Sequence, residues 1–298
     1  MPVLLGLIRT MRPKQWTKNL LFVFPALIFD GQLFILDSFL RVFATFVLLC
    51  LMSGTVYIIN DIVDIESDRL HPRKRNRPLP SGQLPLRVAI AAAVILPVVT
   101  LLLALALSVY VAIVLAVYLG LQLWYSFQLK HVVIVDVLAI TVGFLLRVVA
   151  GAVVIKVADF SPWLYVCAAL LALFLAVGKR RTELLLLGDK DAENVRPIYR
   201  SYNLLLLDQL LMVVTTSTFL AYTLYTIETT SRFLSNNYLA LFTIPFVLYG
   251  LFRYLYLIYV AGETGAPDEV LLKDRALQVD IVLFGLSFIV ILYVLPAL

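Results

Sequence analysis

Charge is scarce in this chain, and so are the side chains that bind soft metals. Asp, Glu, Lys and Arg make up 14% of its 298 residues against 62% hydrophobic ones, a balance that no water-soluble core requires and that indicates a polytopic membrane protein. The mean hydropathy of +0.98 agrees. Only two cysteines occur, Cys50 and Cys167, both inside apolar runs, where a thiol acts as a small hydrophobe rather than half of a disulfide or metal pair. Two histidines, His71 and His131, without a Cys/His cluster, argue against a zinc or haem site and leave a hard, oxygen-ligated metal open. A long apolar run is missing at the N-terminus too. Val3 to Ile8 is too brief for a signal-peptide core and is followed by Arg9, Arg12, Lys14 and Lys18, so no cleaved targeting segment is expected.

What abounds is apolar stretches near the ~20 residues that a membrane-spanning helix needs. They predict spans at 17–35, 37–60, 85–108, 110–128, 133–155, 161–178, 208–230, 238–261 and 278–296, an all-α, polytopic bundle of nine transmembrane helices. Nineteen of the 24 Lys and Arg fall in the N-terminus and in the connections after the second, fourth, sixth and eighth spans. Arg41, Lys156 and Arg232 lie on the other side, and Arg147 and Arg253 within spans. By the positive-inside rule the N-terminus is cytoplasmic.

Basic loops alone are topology signals, whereas carboxylates clustered among them are not. Asn60, Asp61, Asp64 and Asp68 close the second span, and at ~100° per residue they share one helical face within an arc of roughly 100°. Like charges at that spacing repel, and a helix C-terminus disfavours anions further. A divalent cation relieves both effects: Mg²⁺ takes one or two carboxylates and completes its shell with water and phosphate oxygens. Directly after runs His71-Pro72-Arg73-Lys74-Arg75-Asn76-Arg77-Pro78-Leu79-Pro80-Ser81-Gly82, whose guanidinium forks match phosphate oxygens. Together the two segments make the halves of a diphosphate site, with metal and arginines neutralising a leaving group. The plainer alternative is an acidic helix end neutralised by Arg69, Arg73 and Lys74; it leaves carboxylates at the membrane edge without a role.

Further polar residues sit where a span should be apolar. In the fifth span Asp136, Gly143, Arg147 and Gly151 project to one face, but Asp136 and Arg147 are ~16 Å apart, so each needs another partner. The glycines suit close helix packing. After the sixth span come Gly178-Lys179-Arg180-Arg181-Thr182-Glu183, then Arg196-Pro197-Ile198-Tyr199-Arg200-Ser201-Tyr202, a loose echo of the first basic loop that suggests two pseudo-equivalent halves or a chance likeness. At the N-terminus, Arg12 to Asn19 puts Lys14, Lys18 and two amides at an interface marked by Trp16.

The pattern Asn60-Asp61-x-x-Asp64-x-x-x-Asp68 resembles the first aspartate-rich motif of the UbiA-type polyprenyl transferase superfamily. Arg12-Pro-Lys-Gln-Trp-Thr-Lys-Asn19, Tyr125-Ser126, Leu129-Lys130, Asp136, Gly143-Phe144, Arg147, Ala150-Gly151 and Gly178-Lys-Arg-Arg-x-Glu183 are similar to its decaprenyl-phosphate phosphoribosyltransferase branch. So are Arg253-Tyr254, Gly262, Pro267-Asp268-Glu269 and Asp274-Arg275. The resemblance implies a single UbiA-like domain over 1–298 in the plasma membrane, its helices around a central cavity open to the cytoplasmic side, with functional loops near 61–84 and 179–207. It also implies a glycosyltransferase of the phosphoribosyltransferase type. Its expected reaction is Mg²⁺-dependent transfer of 5-phosphoribosyl from phosphoribosyl diphosphate to a polyprenyl, decaprenyl-like phosphate, releasing diphosphate, for arabinose-donor and cell-wall glycan synthesis.

On that resemblance Asp61, Asp64 and Asp68 are the expected catalytic residues and, with Asn60, the expected metal ligands. Lys14, Lys18, Asn19, Arg73, Arg77, Tyr125, Lys130, Asp136, Arg147, Lys179, Arg180, Glu183 and Tyr202 are the expected substrate-binding residues, with Glu183 orienting a ribose hydroxyl. The expected partners are phosphoribosyl diphosphate, the polyprenyl phosphate lipid and the membrane, with no nucleic acid; the bundle is compatible with a homo-oligomer. One departure stands out. Many aromatic prenyltransferases of the superfamily carry a second Asp-x-x-x-Asp after the sixth span, where this chain has Lys179, Arg180, Arg181 and Glu183; more cation there favours substrates with more phosphate.

Two rivals remain on the sequence. One is a prenyltransferase moving a prenyl group from its diphosphate to an aromatic or haem acceptor, against which the basic segment at 179–181 counts. The other is a transporter for a phosphorylated lipid, since intramembrane Asp136 and Arg147 suit such pathways. The sparse ionisable residues of the opposite side (Asp30, Asp37, Arg41, Lys156, Asp159, Glu228 and Arg232) favour chemistry confined to one face.

Overall fold

A computed structural model of the chain describes residues 3–70, 74–157, 161–195, 197–233, 238–263, 270 and 273–295. Every regular element among them is helical, and eight of the described helices are long and apolar enough to cross a membrane. The protein is a multi-pass membrane protein, and those eight correspond to every expected span except 17–35. The helices gather into two compact units, Met1–Phe127 with Leu146–Ala158, and Gln128–Leu145 with Asp159–Leu298.

In the first unit α1 (Val3–Thr10), α2 (Trp16–Val23) and α3 (Pro25–Phe29) precede α4 (Leu36–Val63), which at 28 residues is about 42 Å long. After α4 comes α5 (Ile65–Leu70). The Asp64 N–H donates to the Asn60 carbonyl at 2.9 Å and the Asp68 N–H to the Asp64 carbonyl at 2.8 Å, so helical register runs through Asp64 and keeps the acidic residues on one face. Helices α6 (Leu86–Leu107) and α7 (Val109–Phe127) pack on α4; Ser108, in extended conformation, is their whole connection.

The expected span 17–35 is not one continuous helix. Pro25 has no N–H to continue the ladder, and α2 stops at Val23 before α3 begins. The segment still runs antiparallel along α4: Arg12 meets Asp61, Asn19 meets Ser53, the Phe24 ring lies 6.1 Å from that of Phe46, and Gln32 meets Ser38. Two short helices and a turn thus traverse the length of α4. On α8 (Val135–Val154), Gly151 belongs to this unit, and a Cβ there would lie 2.2 Å from the Val23 carbonyl oxygen, a backbone approach only glycine permits.

The second unit contains the start of α8, then α9 (Pro162–Val195), α10 (Leu204–Phe233), α11 (Ile244–Tyr259) and α12 (Arg275–Ile289). Its core clusters Phe174, Val177, Leu207, Leu211, Tyr254 and Leu257, with the Phe174 and Tyr254 rings 4.8 Å apart. The expected loop from 179 is corrected here: α9 continues to Val195. Leu, Glu, Lys and Ala after Gly178 are good helix formers, and the Arg180–Glu183 and Lys179–Glu183 pairs lie on adjacent turns, so basic residues mark the membrane edge without ending the helix.

Candidate active site

The acidic face of α4 and α5 is held by cations. Asp61 and Asp68 are buried, with side chains 2% and 1% exposed. The Arg77 NH1 donates to both, at 3.2 Å from Asp61 Oδ1 and 2.6 Å from Asp68 Oδ2. Arg12 NH2 approaches the same Asp61 oxygen at 2.6 Å, and Lys74 Nζ lies 3.5 Å from Asp68 Oδ1. Arg12 adopts φ +55° immediately before Pro13, a left-handed conformation uncommon outside glycine, and its guanidinium lies 4.6 Å over the Tyr57 ring. Asn60 and Asp64 are half-buried on the same helical face.

Two buried carboxylates flanking one guanidinium nitrogen define a place selected for positive charge. One or two carboxylates completed by phosphate oxygens is coordination that Mg²⁺ favours, and this donor set fits it. Among the described residues no group of three or more His, Cys, Asp or Glu side chains is placed to hold a metal ion, so a cation here would draw on one or two carboxylates and on oxygens from outside the protein. Arg73 lies outside the described residues.

A second network, also in the first unit, surrounds Arg147. Its Nε donates to Asn19 Oδ1 at 2.7 Å and its NH2 to the Tyr118 hydroxyl at 2.8 Å, while Asn19 Nδ2 donates to Ser53 Oγ at 3.2 Å. All of these side chains are buried. Arg147 and Gly151, four residues apart on α8, therefore dock α2, the helix that carries Lys18.

The third network belongs to the second unit and assembles five of the expected residues. Asp136 is 0% and Arg180 1% exposed. Arg180 Nε donates to Asp136 Oδ2 at 2.7 Å and NH1 to Glu183 Oε2 at 2.8 Å. The Tyr202 hydroxyl donates to Asp136 Oδ1 at 2.7 Å and accepts the Ile134 N–H at 2.8 Å. The Tyr199 hydroxyl donates to Glu183 Oε2, and Lys179 Nζ lies 3.9 Å from Glu183 Oε1. Burial, then the hydrogen bond to Asp136, raises the Tyr202 phenol above its ordinary range, so it keeps its proton as a donor near neutral pH. The partners that Asp136 and Arg147 each require are thus different: Arg180 and Tyr202 for one, Asn19 and Tyr118 for the other.

Lys14 is exposed on the turn Pro13–Gln15, Lys18 and Tyr125 are half-buried on α2 and α7, and Lys130 is half-buried on the turn Leu129–His131.

Residues 19–183 match the UbiA prenyltransferase family. The chain belongs to that family. The UbiA assignment makes the protein a membrane-embedded transferase, and near-full-length relatives narrow the company it keeps. It is 32% identical to a decaprenyl-phosphate phosphoribosyltransferase of Corynebacterium glutamicum, over 98% of this chain and 88% of that one. It is 35% identical to the protein of the same name from Mycolicibacterium smegmatis, over 92% of this chain and 88% of that one. In fold it matches a solved UbiA homolog from Archaeoglobus fulgidus bound to DMAPP and Mg2+, with TM-score 0.70 and 18% identity over 97% of this chain and 99% of that one.

Arg12, Lys74, Tyr118 and Tyr199 join these networks without having been singled out as site residues from the sequence. Arg12 reads there as one of many topology cations, because its partner lies 49 residues away and no spacing rule connects them. A faint signal exists in Arg12-Pro13, since a residue before proline is steered out of the helical region.

Proposed function

We propose that this UbiA-family protein transfers 5-phosphoribosyl from phosphoribosyl diphosphate to a polyprenyl phosphate at the cytoplasmic face of the plasma membrane, as one transmembrane domain with its N-terminus in the cytoplasm. The observation that carries this reading is the buried Asp61–Arg77–Asp68 cluster with Arg12 and Lys74, in a chain similar over nearly its whole length to enzymes named for this transfer.

One or two carboxylates of the face formed by Asp61, Asp64 and Asp68, with Asn60 beside them, would hold Mg²⁺, which when bound supplies neutralising charge to a departing diphosphate. Arg77, Arg12 and Lys74 complete that neutralisation and turn from carboxylate to phosphate oxygens, for which guanidinium forks are suited. Heterolysis of the bond between the ribose anomeric carbon and the diphosphate oxygen sends the electron pair to the leaving group. A phosphate oxygen of the lipid then bonds to the electron-poor carbon. That oxygen is already ionised near pH 7, since a phosphate monoester has a second pKa of about 6, and no general base is needed. Lys130 and Lys179 serve as charge partners for the remaining phosphates, and Glu183 accepts a hydrogen bond from a ribose hydroxyl. Product use in arabinose-donor and cell-wall glycan synthesis follows from the same reading.

The test is a transfer assay with purified protein in detergent, radiolabelled phosphoribosyl diphosphate, a polyprenyl phosphate and Mg²⁺, followed by lipid extraction. Label enters the lipid with wild-type protein and fails to with Asp64→Asn or after EDTA. If no label moves while a prenyl diphosphate is consumed with an aromatic acceptor, the phosphoribosyl reading is overturned in favour of aromatic prenylation.

A further inference from the structure

The second unit holds a backbone distortion at its polar network. Ile134 has φ +68°, and a β-branched residue in the left-handed region is a strained exception. It immediately precedes α8, two residues before Asp136. Its side chain is 47% exposed, so core packing does not impose the conformation. Its N–H is spent on the Tyr202 hydroxyl.

The direction of every bond beyond that point is determined. A phenol has one proton; accepting from the Ile134 N–H, Tyr202 donates that proton to Asp136 Oδ1. Asp136 then has Oδ2 for Arg180 Nε, and Arg180, sealed at 1% exposure, offers NH1 to Glu183. Glu183, at 27% exposure, is the acidic member that reaches the surface. A guanidinium is a rigid planar fork, so clamping it from behind sets the angle at which its other nitrogen holds the Glu183 carboxylate.

We propose that Tyr202 is a positioning residue for Glu183, acting through Asp136 and Arg180, and that the fixed Glu183 carboxylate determines specificity by accepting a hydrogen bond from a hydroxyl-bearing sugar. This rests on the phosphoribosyl-transfer reading and assigns Tyr202 a place behind the site rather than in contact with substrate. Its hydroxyl is already committed on both sides by the strained amide and by Asp136. A carboxylate repels phosphate and attracts hydroxyl donors, so Glu183 discriminates the sugar part of a phosphorylated substrate from its phosphates.

The experiment compares Tyr202→Phe, Glu183→Gln, their double variant, and Tyr202→Phe combined with Ile134→Gly. Transfer kinetics and the thermal unfolding midpoint are measured on the full chain in detergent. Tyr202→Phe raises KM for phosphoribosyl diphosphate about tenfold, the scale of one charge-assisted hydrogen bond, and leaves KM for the lipid unchanged. Adding Tyr202→Phe to Glu183→Gln changes the sugar-donor KM no further. Ile134→Gly restores the midpoint of Tyr202→Phe, because glycine adopts φ +68° without strain, yet leaves the raised KM in place. If Ile134→Gly restores both, or if the two single effects on KM multiply in the double variant, Tyr202 is only structural and the proposal is overturned while phosphoribosyl transfer stands. If wild-type protein neither transfers nor binds labelled phosphoribosyl diphosphate in equilibrium dialysis, the reading of the substrate falls, and this proposal with it.

Discussion

Arg77 is the residue on which the first cluster turns, because a single nitrogen serves two carboxylates that are almost wholly buried. Replacing it with Gln leaves Asp61 and Asp68 to Arg12 and Lys74 and should cost about 2 kcal/mol. That is below the 3–5 kcal/mol of a fully buried pair, since the guanidinium is 31% exposed. Adding Asp68→Asn removes the stranded charge and should recover part of that loss in thermal unfolding, whereas the transfer assay should show activity lost in both variants. The spacing of Asn60, Asp61, Asp64 and Asp68 made this face legible in the sequence, since helical periodicity is local. The identity of its cations was only partly legible: Arg77 was expected there, whereas Arg12 was not, because its 49-residue separation from Asp61 is closed by packing. Arg180 shows the same limit. The sequence places it among the substrate-binding residues, and only packing sets its nitrogens on Asp136 and Glu183.

At the level of elements, glycines report how close helices come. Gly151→Ala drives a Cβ toward the Val23 carbonyl, backbone that cannot yield, and should cost about 3 kcal/mol or more. Gly54→Ala meets first the flexible end of Met11, 2.6 Å away, and Gly120→Ala meets nothing within 4 Å. The expected order of loss in unfolding midpoint is therefore Gly151, Gly54, Gly120. Helix α12 offers a pH-dependent test. Asp274 caps it, accepting the Leu277 N–H at 2.8 Å, and the hydrogen bond from Arg253 lowers its pKa. A lowered pKa in the folded protein stabilises above the unfolded-state value of about 3.9 and is lost as pH falls through the folded one. Thermal midpoints should thus fall on acidification below about pH 4, with a flatter profile for Asp274→Asn, which retains a capping oxygen and loses the charge. The two elements misjudged from sequence share one cause. Hydropathy senses apolarity and not backbone continuity, so it passed over the interruption at Pro25 and ended α9 at its first cations, although those residues continue the helix to Val195.

For the whole molecule, the distribution of cations predicts sidedness. In a Cys167→Ala background, Ser81→Cys should react with a membrane-impermeant thiol reagent in inside-out vesicles and remain unlabelled in right-side-out ones; the reverse pattern would place the Asp61 cluster outside the cytoplasm. The sequence by itself determined that the chain enters the membrane and where its eight long apolar helices lie, because hydrocarbon acts on each segment independently. It also determined that Asp61, Asp64 and Asp68 share a face, since a helix repeats every 3.6 residues whatever surrounds it. Only the tertiary structure decided which cation meets which carboxylate, that Arg147 docks α2, and that Tyr202 stands behind Asp136 and Arg180. Those pairings join residues far apart in the chain, and packing, not sequence spacing, closes the distance between them.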